Sequence, residues 1–190
     1  MSKKNTTYNQ ITAKMIIVIL LITLGLAFAY TEYIKREVVI NLAKVDAKKT
    51  SRLVFESMYS AMQKGWNKDD VQEVIHRLNK VDENLEINIY RSKKVADIFG
   101  DIEKDKHVRN TNEYVKTTFE GEEALDIVNS DIIKYYFPVI ANDKCKSCHV
   151  NAVSGDVLGV ININYPITDL KISLNDMINL FLIFIICFSF

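Results

Sequence analysis

The sequence predicts an α+β domain with an antiparallel sheet, set between two uncharged apolar stretches. Two observations carry this. Apolar residues recur at three- and four-residue spacing up to Leu78, then alternate with polar ones from Leu85 onward, so runs of helix precede runs of strand. Charge is almost absent from Met15–Thr31 and from Met177–Phe190 and dense between them. The chain's 190 residues suffice for about one domain with membrane segments.

Each element has its own signal. Val38, Leu42, Val45, Leu53, Val54, Met58 and Met62 mark a long helix, free of Pro and Gly until Gly65, which suits a C-cap. Asn67 is a good N-cap for a second helix, with Asp69 and Asp70 in its first turn and Val71, Val74, Ile75 and Leu78 as its apolar stripe. Leu85, Ile87 and Ile89 alternate with polar residues and read as a half-buried strand. Lys93 to Arg109 is mixed and charged, and reads as irregular. Thr111 caps a short helix through Phe119, stopped by Gly121. Leu125–Val128 and Ile132–Ile140 read as strands, the latter at a sheet edge or leaving the sheet because of Pro138. Val157 to Tyr165 is the clearest strand. Val157, Gly159, Ile161, Ile163 and Tyr165 point one way, Asn162 and Asn164 the other, and Pro166 ends it. Thr168 or Asp169 caps an exit helix.

Met15–Thr31, bracketed by Lys14 and Glu32, spans about 26 Å at about 1.5 Å per residue, at the short end of what crosses a bilayer core of about 30 Å. It reads as an uncleaved anchor rather than a signal peptide cut near Ala27-Phe28-Ala29, because the run is long and a helix continues out of it. Lys3, Lys4 and Lys14 keep the N-terminus in the cytoplasm, and either reading exports the central domain. The expected organisation is a cytoplasmic N-terminus over 1–14, a transmembrane helix over 15–33, a periplasmic domain over 34–173, and a second, truncated transmembrane helix over 174–190 of a bacterial inner membrane. On this reading the chain is a piece of a longer protein with an output module beyond Phe190. Lys+Arg and Asp+Glu balance, which argues against a nucleic-acid partner.

The motif that carries chemistry is Cys145-Lys146-Ser147-Cys148-His149. Two thiols at this spacing can each add to one vinyl group of a haem, and the next residue's imidazole then reaches the iron. The sequence therefore predicts one covalently bound haem c, attached through Cys145 and Cys148, with His149 as an axial ligand. A disulfide leaves His149 unexplained. A zinc site lacks a second ligand pair. A thioredoxin-like pair wants a helix after a strand, whereas here strand follows strand. For the second axial position Met62 ranks first, then Met58, four residues apart on one helix face, then His76. His107 reads as surface, and an open site for a small gas stays in contention. Tyr135, Tyr136, Phe137 and Trp66 are candidates to line the haem pocket. Cys187 reads as a packed or lipid-facing apolar residue.

Several segments together resemble one bacterial family. They are Phe55-Glu56-Ser57-Met58 through Gly65; Ile89-Tyr90-Arg91-Ser92 with Val95 and Phe99-Gly100; Tyr136-Phe137-Pro138-Val139 before the motif; and Gly155-Asp156-Val157-Leu158-Gly159-Val160 after it. They are similar to the periplasmic c-type-haem sensor domains of PAS-like fold in membrane-bound histidine kinases, diguanylate cyclases and chemotaxis receptors. The resemblance covers most of Val45 to Leu170. It implies a haem packed against an antiparallel sheet and an N-terminal helix, a homodimer formed through the membrane-proximal helices, and sensing of redox state or a small gas. Residue by residue it assigns only Cys145, Cys148 and His149. The chain departs from the family in showing no output domain after the second apolar stretch. The expected function is a membrane-anchored haem-c sensor. The alternative is a membrane-anchored monohaem electron carrier. An enzyme ranks third, because no nucleophile–base pair, carboxylate pair or second metal cluster shows a useful spacing.

Overall fold

The computed structural model describes residues 2–65, 68–81 and 85–188. Trp66 and the Asn67 cap lie outside them. The chain divides into two units, Met1–Val39 and Ile40–Phe190. The first belongs to helix α1 (Ser2–Gln63). Its large apolar side chains from Met15 to Tyr30 are 54 to 69% exposed. Each square ångström of such surface costs about 25 cal/mol in water. By length and composition α1 is a candidate membrane span.

The second unit holds the rest of α1, then α2 (Lys68–Val81), β1 (Glu86–Arg91), α3 (Lys93–Phe99), α4 (Glu103–Thr111) and α5 (Glu113–Phe119). After them come β2 (Ala124–Ile127), β3 (Ile132–Ile140), β4 (Val157–Pro166) and α6 (Thr168–Phe188). The strands form one antiparallel sheet in the order β1-β4-β3-β2. The fold class is thus the α+β class expected.

Strand alternation gives the sheet two different faces. Ile87, Val139, Ile161 and Ile163 join Val54 and Met58 of α1 in one core, with Ile75 and Leu78 of α2 at its margin. Tyr90, Tyr136 and Val160 form a second core with Val115 of α5 and Val108 of α4. Gly65 ends the first helical segment in the left-handed region, at φ 77°, as expected of a C-cap.

Four local readings change. The buried stripe of α1 in this unit is Ala43, Ala47, Ser51, Val54, Met58 and Ala61, while Leu42, Val45 and Leu53 are exposed. Two apolar stripes run side by side, and the one with small side chains turns inward. Lys93 to Arg109 holds two helices instead of an irregular segment. Ser92 caps the first by accepting a bond from the Val95 N–H at 3.3 Å. Two ion pairs reach into this stretch, Arg91 Nε with the buried Asp105 at 3.0 Å and Arg109 with Asp101 at 2.7 Å. Asn112, not Thr111, caps α5, accepting the Val115 N–H at 3.1 Å, while the Thr111 hydroxyl donates to the His107 carbonyl within α4. Finally, β3 is an interior strand. Pro138 is tolerated because β2 stops at Ala124, opposite Tyr136, so its missing N–H removes no bond to β2.

Strand β1 is a true edge, and its exposed backbone is capped by a side chain. The Asn79 amide accepts the Ile87 N–H at 2.7 Å and donates to the Ile87 carbonyl at 3.0 Å, imitating a neighbouring strand. Replacing Asn79 with Ala leaves both backbone groups of the buried Ile87 unpaired on that side. We expect a loss of about 1–3 kcal/mol in urea denaturation, with the slope of the transition unchanged.

Candidate functional site

The motif lies in the connection between β3 and β4. The base of this loop is closed by the Ala141 N–H bonded to the Asp156 carbonyl at 2.7 Å and the Gly155 N–H bonded to the Ala141 carbonyl at 2.9 Å. Asn142 starts a single 3-10 turn over Asp143–Ser147, its side chain accepting the Lys144 N–H at 2.9 Å. Lys144 and Lys146 are exposed on it. The turn sends Cys145 inward and leaves Cys148 exposed, and both are free thiols. The His149 N–H returns to the Cys145 carbonyl at 2.9 Å, which ties the imidazole residue to the first thiol.

The His149 ring is half-buried, and burial holds it below the ordinary histidine pKa, so neutral imidazole is favoured. Its Nδ1 is buried and has no hydrogen-bond partner among the described residues. Phe99 at the end of α3 meets the ring edge-to-face, at 5.4 Å between centroids and 75° between planes. The residues after it are tied to α3 as well. The Asn151 amide donates to the Lys94 carbonyl at 2.8 Å, and the Lys94 ammonium pairs with Asp156 at 2.5 Å. Lys94, then the Val153 N–H, hold the Asp156 carboxyl below its usual range.

Inward, Cys145 belongs to the same apolar core as Val54, Met58, Val95, Val139, Ala141, Ala152 and Leu158. Met62, Phe55 and Phe137 pack against that core from its margin. The structure therefore gathers Cys145, Met58, Met62 and Phe137 around one core. His76 and His107 are both exposed, on α2 and α4. The three candidate pocket aromatics among the described residues do not form one set. Tyr135 is fully buried on the same strand face as Phe137, where burial first, then the Glu123 carboxylate, raises its phenol pKa. Tyr136 lies on the opposite face, stacked on Tyr114 at 5.6 Å in the second core. Cys187 is exposed on α6.

Outside the core, Val150 and Val153 next to the motif are 78% and 62% exposed. Buried thiol, exposed thiol, imidazole and adjacent apolar side chains make a donor set and a setting that a flat, apolar, covalently held haem would use. Among the described residues no three His, Cys, Asp or Glu side chains gather as a metal cluster. Lys94 and Asn151, which hold the segment after His149, did not stand out in the sequence, and Phe99 and Asp156 entered it only within segments that carry the resemblance. The usable signal was Ser92 and Gly100 bracketing seven helix-compatible residues. Comparison with known proteins finds no matching family model, no similar curated protein and no similar solved structure.

Met58 is almost fully buried and Met62 only partly. In the haem-free chain Met58→Ala should cost about 2–5 kcal/mol, with Met62→Ala well below it. Thermal or urea unfolding of the two variants measures the difference. Equal losses would place Met62 in the core as deeply as Met58.

Proposed function

We propose that the chain is a membrane-anchored haem-c sensor, its central domain in the periplasm of a bacterial cell, answering redox state or a small gas. The observation that carries this is the shared core. Cys145 of the motif shares one apolar core with Met58, with Met62 at its margin, on α1, the same helix that holds the candidate membrane span. Bound haem would supply a one-electron couple and a site for a diatomic gas. Cys145 and Cys148 would hold it by thioether bonds, and His149 would be one axial ligand. Met62 or Met58 would offer a thioether on the side of α1. His76, exposed on α2, falls behind both. Exchange of the second ligand would act on α1 directly, provided the two ligation states favour different positions of that helix.

Supporting features fit the same reading. A four-stranded antiparallel sheet with helices on both faces suits a PAS-like domain. Helix α6 carries the second apolar stretch as far as Phe188 and would form the second membrane segment. The exposed Leu42, Val45 and Leu53 on α1 suit a homodimer through that helix. The electron-carrier reading has one observation in its favour. Cys148 and Val150 are exposed, so the edge of the motif stands within reach of a partner protein.

The test uses the full chain made in a bacterium that attaches haem c. Haem should stay with the polypeptide through denaturing electrophoresis, and Cys145→Ser or Cys148→Ser should each abolish the normal two-bond attachment. The oxidised spectrum should show a thioether-to-iron band that Met62→Ala or Met58→Ala removes. Reduction or CO should change amide exchange along α1. A chain without covalent haem ends the proposal. Fast electron exchange with unchanged amide protection would establish the carrier instead.

A further inference from the structure

A histidine that ligates a metal ordinarily donates its second ring N–H to a carbonyl or carboxylate, and that bond sets the plane of the ring. Among the described residues His149 makes no such bond, and its enclosed Nδ1 finds no partner there. The plane of the imidazole must then be set by packing. An aromatic ring supplies it: Phe99 stands edge-to-face with His149 at 5.4 Å and 75°.

Phe99 is 47% exposed, so its contact with His149 is not that of a core-filling residue. It closes a short helix secured on both sides. At the start of α3 the Ser92 N–H bonds to the Leu158 carbonyl at 2.9 Å, and Val95 and Ala96 are buried. Just past its end, Asp101 is held by Arg109 at 2.7 Å. Toward the loop, Lys94 is bonded twice, by its carbonyl to Asn151 and by its ammonium to Asp156. The platform under Phe99 is thus tied to the very segment that comes after His149.

We propose that Phe99 is a positioning residue that fixes the rotation of the His149 imidazole, with α3 as its rigid mount. This deepens the haem-c reading above and rests on it for its consequence. The plane of an axial imidazole governs how unpaired spin spreads over the edge of an oxidised haem, and the haem-methyl proton shifts record that plane.

Proton NMR of the oxidised, haem-loaded full chain tests this with three variants. Phe99→Ala and Phe99→Leu should shift the order and spread of the haem-methyl resonances, and Phe99→Tyr, which keeps the ring, should restore them. Phe99→Leu keeps most of the bulk should Phe99→Ala fail to fold. In the haem-free chain the His149 ring protons should carry a ring-current shift that Phe99→Leu loses and Phe99→Tyr keeps. A wild-type methyl pattern in Phe99→Leu, even with a lower melting temperature, overturns the proposal and leaves attachment at Cys145 and Cys148 standing. Absence of haem from the wild-type chain overturns the haem-c reading instead. The haem-free measurement then still decides whether Phe99 holds the ring.

Discussion

Val54 and Met58 on α1 bury themselves in the same core as Ile161 and Ile163 on β4, and the position of the motif depends on that seam. Each such side chain contributes about 1.5–3 kcal/mol when removed from water. Intrinsic helix propensity could not substitute for it, since propensity has no direction and most helical stability in proteins comes from a packed face. Strand β4, whose Ile161 and Ile163 share that core, is flanked by β1 and β3, so its geometry is over-determined. Near the motif the spacing of β1 and β4 has little slack. A Cβ at Gly159 would stand 3.2 Å from the Tyr90 carbonyl oxygen, so any side chain there would force the strands to give.

The hold of the sheet on α1 is uneven along the helix. Toward its N-terminal side the inward residues are Ala43, Ala47 and Ser51, with the Ser51 hydroxyl returned to the Ala47 carbonyl at 2.8 Å. Small residues permit close approach but bury little area. What adds to them is one ion pair, Lys48 to Glu123 at 2.5 Å, between partly exposed side chains. Such a pair is worth at most about 1 kcal/mol. Most of the grip is therefore concentrated at Val54 and Met58, which share their core with Cys145. A change at that end acts where the helix is held most firmly.

The sheet was legible because alternation is local. Ile161 and Ile163 against Asn162 and Asn164 identify β4 without any knowledge of its partners, and the Cys-x-x-Cys-His spacing is equally self-contained. The same period of two separates Tyr136 from Tyr135 and Phe137, so grouping all three in one pocket went against the strand's own geometry. The inward face of α1 was not legible, because Leu42, Val45 and Leu53 make a stripe as apolar as the one that is buried. Only the tertiary contact chooses between them. The two helices between Lys93 and Thr111 were hidden by their charges. Asp105 and Arg91 look like solvated surface until each is seen to be the other's partner. The contact of Phe99 with His149 joins residues far apart in sequence and leaves no periodic trace.

The motif is consequently gripped from two sides. Cys145 belongs to the core that holds α1, while His149, Asn151 and Asp156 belong to the clasp with α3. Both grips are anchored on the same sheet, so a relative shift of α1 and α3 strains the few residues between Cys145 and His149. On the sensor reading this sets an energy scale. Moving a two-state equilibrium from 1:99 to 99:1 takes about 5.5 kcal/mol of differential affinity. Burial of Val54 and Met58 together contributes about 3–6 kcal/mol. Loss of one axial bond could therefore unseat α1 only if most of that bond's free energy is spent against this seam. A variant that weakens the seam, such as Val54→Ala, would lower the threshold without touching the thiols, His149 or either candidate thioether.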